Sequence, residues 1–465
     1  MGHKHHHIDR RDFLGKAACG AMGYTTLFST LFNLKTMNAA AIANSAVFGG
    51  DYKALVCVFF AGGNDAFNML VPKNNQAEYN AYADARSNVA LSQNEILPLN
   101  GSDYGLHPSM GPMQTLYNEG KLSFISNIGT LIEPVENMNQ VYDGSIPVPL
   151  GLFSHADQSQ QWQTSVPHDR TAIGWGGKVA DLLGDMNSNQ NISLNISLAG
   201  NNVFQNGENS SQYVINPYSG AIQINGYGED WLFSELRTAA IDNMVEANYQ
   251  DLYKKTYVDV IKVSRDSNIE FAEALDPISL NTNFSDNELS DKMKMVARTI
   301  AARNTLSMTR QIFFVEVGGF DMHDEVVESH AEALTNISLA FSEFNAAMEE
   351  LETTECVTTF TISEFARTLS SNGNGTDHAW GSNCIVMGGQ VNGGNIFGTY
   401  PTLALDSNID IGGGVLIPEL SADEYFAELS QWFGVEDSDL ATLFPNLGNF
   451  YSAGSGEAPI GFLGS

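Results

Sequence analysis

A chain of 465 residues can bury one large core or two smaller ones, and 43% hydrophobic residues exclude a disordered protein. Its 54 acidic against 22 basic side chains give a formal charge of −32. That argues against nucleic acid or anionic membrane as a partner, since both are held by concentrated Lys and Arg.

The first residues predict a targeting device. Arg10-Arg11-Asp12-Phe13-Leu14-Gly15-Lys16 precedes a moderately apolar stretch from Ala17 to Phe32, and Ala41-Ile42-Ala43 offers a cleavage site. The pattern resembles a twin-arginine signal over 1–43. It implies export in folded form through the twin-arginine translocation machinery, and a periplasmic or secreted mature protein with no membrane span. The alternative is an N-terminal anchor, but Gly20 and Gly23 interrupt the apolar stretch and favour cleavage. The tract His3-Lys4-His5-His6-His7 lies ahead of the cut and carries no functional weight. Cys57, Cys356 and Cys384 remain after cleavage, without a C-x-x-C pair, so thiolate zinc sites and dithiol chemistry are not expected. Buried thiols are the expectation; a Cys356–Cys384 bridge is the alternative in an oxidising compartment.

The mature chain, 44–465, reads as one domain with alternating strands and helices. Strands are predicted at 53–60, 122–128, 192–199, 311–317, 357–363 and 384–388, each rich in Val, Ile, Phe or Thr. The Asn-, Gly- and Ser-rich stretch 200–228 breaks the rhythm and is expected as a surface excursion or cap. The region 230–310 predicts two or more helices. In 324–352, Val327, His330, Leu334, Ile337, Phe341, Phe344, Met348 and Leu351 recur at three and four, an apolar helical stripe. Ser421-x-x-Glu424 is a capping box ahead of Tyr425, Leu429, Trp432 and Phe433. This order predicts an α/β fold, a three-layer α/β/α sandwich around a central, mostly parallel sheet.

Chemistry concentrates at strand ends, where open α/β sheets place their sites. Asp65 follows the first strand through Ala61-Gly-Gly-Asn-Asp65. Asp321 and His323 follow the strand 311–317 through Gly318-Gly319, and alternate residues in an extended segment point the same way, toward one metal. Asp377-His378 lies in a loop after Ser370-Ser-Asn-Gly-Asn-Gly-Thr376, a run that a bound cation would organise. Carboxylate and imidazole suit borderline divalent cations: zinc is expected, manganese or calcium are alternatives, with one or two ions. Glu364 and Arg367 stand at another strand end, placed to hold an anion or orient a ligand. Ser154, in Ser154-His155-Ala-Asp157, reads both as a metal-activated nucleophile and as a helix cap. His155 and His330 are further possible ligands, although His330 lies on the apolar stripe. Each of these residues also has an ordinary reading, an Asp as a cap and a His in a satisfied polar pocket.

With these motifs in view, the chain resembles the exported bacterial family named domain of unknown function 1501, within the alkaline phosphatase and sulfatase superfamily. The resemblance runs through Ala61-Gly-Gly-Asn-Asp-Ala-Phe-Asn68, Gly105-Leu-His-Pro108, Ser154-His155, Gly318-Gly-Phe-Asp-Met-His323, Glu364-Phe-Ala-Arg367, Thr376-Asp-His378, Gly414-Val-Leu-Ile-Pro418 and Phe444-Pro-Asn-Leu-Gly448. It implies an alkaline phosphatase-like fold and a two-metal hydrolase of phosphate or sulfate esters, acting on a small-molecule or glycan ester. Asp65, Asp377 and His378 would hold one ion, Asp321 and His323 would contribute to the other, and Ser154 would be the nucleophile. The chain departs from that pattern in the two-residue spacing of Asp321 and His323, and in having no His beyond His378. Either the site is mononuclear and rearranged, or its catalytic machinery has decayed. The competing reading is a non-catalytic envelope protein that binds a ligand on this fold. A third rests on Gly63-Asn64-Asp65, which resembles a block of SGNH-type esterases, but no Gly-Asp-Ser nucleophile precedes Gly62.

Overall fold

The run Lys53–Phe60 is apolar at nearly every position, and such a strand must be covered on both faces. In the computed structural model, which describes residues 52–464 apart from 223, 225 and 231, it forms strand β1 at the middle of a large sheet. The other strands, in chain order, are β2 (Leu70–Pro72), β3 (Leu97–Pro98), β4 (Tyr104–Leu106), β5 (Leu122–Gly129), β6 (Asn195–Ser197), β7 (Tyr213–Asn216), β8 (Gly220–Ala221), β9 (Arg310–Val317), β10 (Val357–Ile362), β11 (Ser382–Gly388), β12 (Ile396–Phe397) and β13 (Leu420–Ser421).

The large sheet runs β12-β5-β11-β10-β1-β9-β6-β7-β8, with β13 beside β5, while β2, β4 and β3 form a small separate sheet. β1 is parallel to both β9 and β10, and β6 is parallel to β9 and β7. β11 runs antiparallel to β10 and β5, and β8 antiparallel to β7. The sheet is therefore mostly parallel, as its sequence rhythm predicts.

Period-two alternation along β1 divides the core between two layers of helices. Ala54, Val56, Val58 and Phe60 pack with residues of helices Gly111–Asn118, Glu288–Ala301 and Val326–Glu350. Leu55, Cys57 and Phe59 face the opposite way, toward Trp175–Leu183 and Ala422–Phe433. The stripe is buried from His330 to Met348, while Val327 at its start is exposed, and the Ser421–Glu424 capping box forms with both of its hydrogen bonds. The region 230–310 supplies three helices, Ser234–Glu246, Leu252–Leu275 and Glu288–Ala301.

Residues 200–228, expected as a surface excursion or cap, instead supply β7 and β8 and lengthen the main sheet at one edge. The polar residues of this stretch occupy the turns around two short strands, which hides the strands from a composition-based reading. Among the described residues no disulfide forms, so the Cys356–Cys384 bridge is absent; Cys57 and Cys384 are buried. Among those residues, too, no helix is long and apolar enough to cross a membrane. The twin-arginine pattern, its cleavage site and the His3–His7 tract lie outside the described residues.

Candidate metal centre

Because β1, β9 and β10 are parallel, their C-terminal ends meet at one edge, with Phe60 beside Val317 and Phe59 beside Ile362. The segments 61–65, 318–323 and 363–367 leave from that edge. Asp377-His378 arrives there by a different route. It precedes β11, and since β11 runs antiparallel to β10, its beginning lies where β10 ends. A short antiparallel bridge between Arg367 and His378 fixes the return.

Two glycines and one arginine clamp these segments together. Gly62 (φ +122°) lies against the backbone of Phe320 and Asp321, where any Cβ would collide. Gly375 is pressed in the same way against His323. The fully buried Arg367 donates from Nε to Gly63 O (3.0 Å), from Nη1 to Thr376 O (3.0 Å), and from Nη2 to Gly62 O and the Asp321 carboxylate. Its guanidinium is thus spent on holding three loops, not on an incoming anion as its place at a strand end suggested. The loop 370–376, expected to need a cation, is organised by its own bonds: Gly375 N donates to Asn372 Oδ1 (3.0 Å), and Asn372 Nδ2 to His323 O (3.2 Å).

Three imidazoles converge here, each gripped from behind. His155 Nδ1 is 2.8 Å from Glu364 Oε1, His323 Nδ1 is 3.0 Å from Asp377 Oδ1, and His378 Nδ1 is 2.7 Å from Phe153 O. Such outer partners fix the tautomer and turn Nε2 into the cluster, where His323 Nε2 also lies 3.0 Å from His378 Nε2 and 3.4 Å from Arg367 Nη1. All three Nε2 atoms then approach one oxygen, Asp321 Oδ1, at 3.4 Å (His155), 3.0 Å (His323) and 3.5 Å (His378). Phe365 stacks on the His378 ring at 4.6 Å between centroids. Phe153 adopts a left-handed conformation (φ +70°), rare for a side-chain-bearing residue, and so aims its carbonyl at His378.

The donor set fits a divalent ion. Ligand atoms of His155, Asp321 and His378 all lie within 4.8 Å of one another. Two donors each about 2.0–2.1 Å from a tetrahedral zinc are about 3.3–3.4 Å apart, near the separations from Asp321 Oδ1. His155 Nε2 is moreover buried without a hydrogen-bond partner, the condition of a ligand atom that lacks its ion. Electrostatics favour the ligating forms. Burial works against the Asp321 carboxylate, but the Arg367 hydrogen bond and charge outweigh it and hold the pKa below the ordinary value. The Asn372 hydrogen bond lowers Asp377, and His323 adds to this. Burial, with Arg367 and the neighbouring imidazoles, lowers the His378 pKa below the ordinary imidazole value.

Other residues singled out in the sequence lie elsewhere. Asp65 does not join the cluster: its carboxylate is buried and paired with the buried Arg86 guanidinium. His330 is also separate, its Nε2 3.0 Å from Asn64 Oδ1, and burial lowers its pKa to about 3. Ser154 is the N-cap of helix His155–Thr164, its Oγ accepting the Asp157 N–H at 3.4 Å. Glu364 acts behind His155 and also accepts the Gly62 N–H (2.8 Å). Phe153, Phe365 and Asn372 were not singled out; an aromatic next to Ser154-His155 or Glu364 and an Asn before Gly are their only sequence signals.

Fold and site together define an α/β protein with a three-histidine, one-carboxylate cluster at the C-terminal edge of its parallel strands. Residues 234–418 match the family model described as "Protein of unknown function (DUF1501)". That span contains Asp321, His323, Glu364, Arg367, Asp377 and His378, whereas His155 lies outside it. Among solved structures, the chain is similar to Ps i-CgsB in complex with k-i-k-neocarrahexaose, at 10% identity and TM-score 0.34, over 85% of this chain and 77% of that one. It is also similar to the PsFucS1 sulfatase from Pseudoalteromonas sp., at 9% identity and TM-score 0.33, over 88% and 72%. Likeness at this level does not extend to activity. No curated protein matches the sequence.

Proposed function

We propose that this chain is an exported, metal-dependent hydrolase of phosphate or sulfate esters. The observation that carries the reading is the convergence of three Nε2 atoms on Asp321 Oδ1, each imidazole fixed by an outer partner. His155, Asp321 and His378 would hold one ion, with His323 beside them, and zinc suits the set. Among the described residues no second group of three such ligands lies together, so the proposal is for a single ion rather than two. When bound, such an ion polarises an ester oxygen as a Lewis acid. The residues' own work is positional: Glu364, Asp377 and the Phe153 carbonyl hold the tautomers, and Arg367 keeps the loops in register. Ser154 is the proposed nucleophile, one residue from His155, and the substrate is a small-molecule or glycan ester.

A second reading, a periplasmic binding protein without turnover, is favoured by the engagement of Ser154 as a helix cap and of Arg367 with Asp321. One experiment separates the two. Metal content is measured by mass spectrometry on natively exported protein, beside Asp321→Asn and His378→Ala. One equivalent in the wild type, falling to about a tenth or less in both variants, supports the centre. Turnover of aryl sulfates or phosphates that drops at least ~100-fold in Ser154→Ala supports the nucleophile. A loss of only ~1 kcal/mol of stability in that variant makes Ser154 a cap. A metal-free wild type sinks the hydrolase reading.

A further inference from the structure

Helix Leu252–Leu275 lives in two surroundings. Tyr253 and Phe271 are about five helical turns apart, as are Tyr257 and Leu275, so each pair shares a face. At the C-terminal end that face is buried, with Phe271, Ala274 and Leu275 in the main core. At the N-terminal end it is bare: Tyr253 is 87% exposed, Tyr257 68% and Val260 63%. Residues 251–257 are exposed without exception. Helix Ser234–Glu246 lies antiparallel beside it, tied by Arg265–Asp242 (2.9 Å) and Lys262–Glu246 (2.8 Å), which by helical spacing leave the Tyr253 face uncovered. Most helical stability in proteins comes from burying an amphipathic face, and here the stripe continues past the core that buries it.

Area and charge both point to a second copy of this chain as the occupant. Tyr253, Tyr257 and Val260 expose on the order of 500 Å² on this face, so two copies meeting there cover about 1,000 Å² in total, the lower bound for a biological interface. Residues 234–275 hold eight acids and five bases. Lys255 pairs with Asp259, Lys262 with Glu246 and Arg265 with Asp242, so the hairpin is close to neutral on a chain of −32. Two strongly acidic molecules meet with least repulsion where charge is already cancelled. A hairpin with more acids than bases does not attract anionic lipid.

We propose that two copies associate through these overhanging helices, antiparallel about a two-fold axis at Tyr257, so that Tyr253 of one copy covers Val260 of the other. Such an interface is isologous and anchored by tyrosines, which carry binding energy at low entropic cost. The test is sedimentation velocity of the full chain, wild type beside a Tyr253→Glu/Tyr257→Glu double variant. A wild-type dimer whose dissociation constant rises at least ~100-fold in the variant, with helicity by circular dichroism unchanged, supports the proposal. A Tyr257→Cys variant that forms a disulfide-linked dimer under mild oxidation, where the wild type does not, supports it too. Monomeric wild type at high micromolar concentration overturns it, and so does a dimer that the double variant leaves intact. Binding of monomeric wild type to phosphatidylglycerol vesicles, lost in the double variant, overturns it in favour of a membrane surface.

Discussion

Two groups built from the same residue types lie within this fold, and they are used in opposite ways. In one, Asp65 meets Arg86, with His330 and Asn64 alongside, and all four are buried. In the other, Asp321 meets Arg367 but remains half-exposed, and three imidazoles turn toward it. Each carboxylate follows a glycine-rich turn after a parallel strand. What separates them is whether unused donor atoms converge at an accessible point. Asp65 is neutralised by its arginine inside the protein, where a further charge is costly. Asp321 keeps solvent access and ready-made imidazole neighbours, so the proposed cation would enter without unburying anything.

The largest effect that would break this comparison is on stability. Asp65→Ala leaves the Arg86 charge buried and unpaired, and the expected loss is ~3–5 kcal/mol in urea unfolding, with metal content retained in the folded protein. If metal is lost while stability holds, Asp65 is a ligand and the two groups are one. Smaller, and confined to the exposed group, is Glu364→Gln. It keeps the shape but weakens the grip on His155 Nδ1, and metal affinity is expected to fall about 10–100-fold in a competitive chelator titration. Unchanged affinity would remove His155 from the ligand set.

Spread over several pH units rather than seen at one is a pH dependence peculiar to the buried group. Unfolded, an imidazole takes its proton near 6.5; folded, burial and the Arg86 charge hold His330 to about 3, and burial and His330 hold His107 to about 4. Between those values the unfolded chain binds more protons than the native one. Stability is therefore full above about 6.5 and falls as pH drops, by ~1.4 kcal/mol per pH unit for each histidine. His330→Gln should flatten that slope between pH 6 and about 4 relative to wild type. An identical slope would show that His330 is already charged in the native state.

Much of the fold was legible because it rests on local rules. The continuous apolar run within Lys53–Phe60, the three-and-four stripe from His330 to Met348 and the Ser421–Glu424 box each specify an element from neighbouring residues alone. The Gly62 turn was legible for the same reason, since only glycine tolerates its conformation and the contact with Asp321. Strand direction was not legible: β11 is as buried as the mutually parallel strands β1 and β10, and its reversal is what brings Asp377-His378 to the site.

Local sequence pattern specified most of the long strands and helices and the residue types at their ends, though not β7 and β8. It named Asp321, His323, Asp377 and His378, and it held His155 only as a possibility. Tertiary structure alone decided that His155, from a helix start far back in the chain, closes the cluster, while Asp65 turns inward to Arg86. The reason is physical. An element is set by dihedral preference and hydrophobic period, which act over a few residues. A ligand set depends on burial, charge pairing and orphaned donor atoms, which arise only when distant segments share one edge.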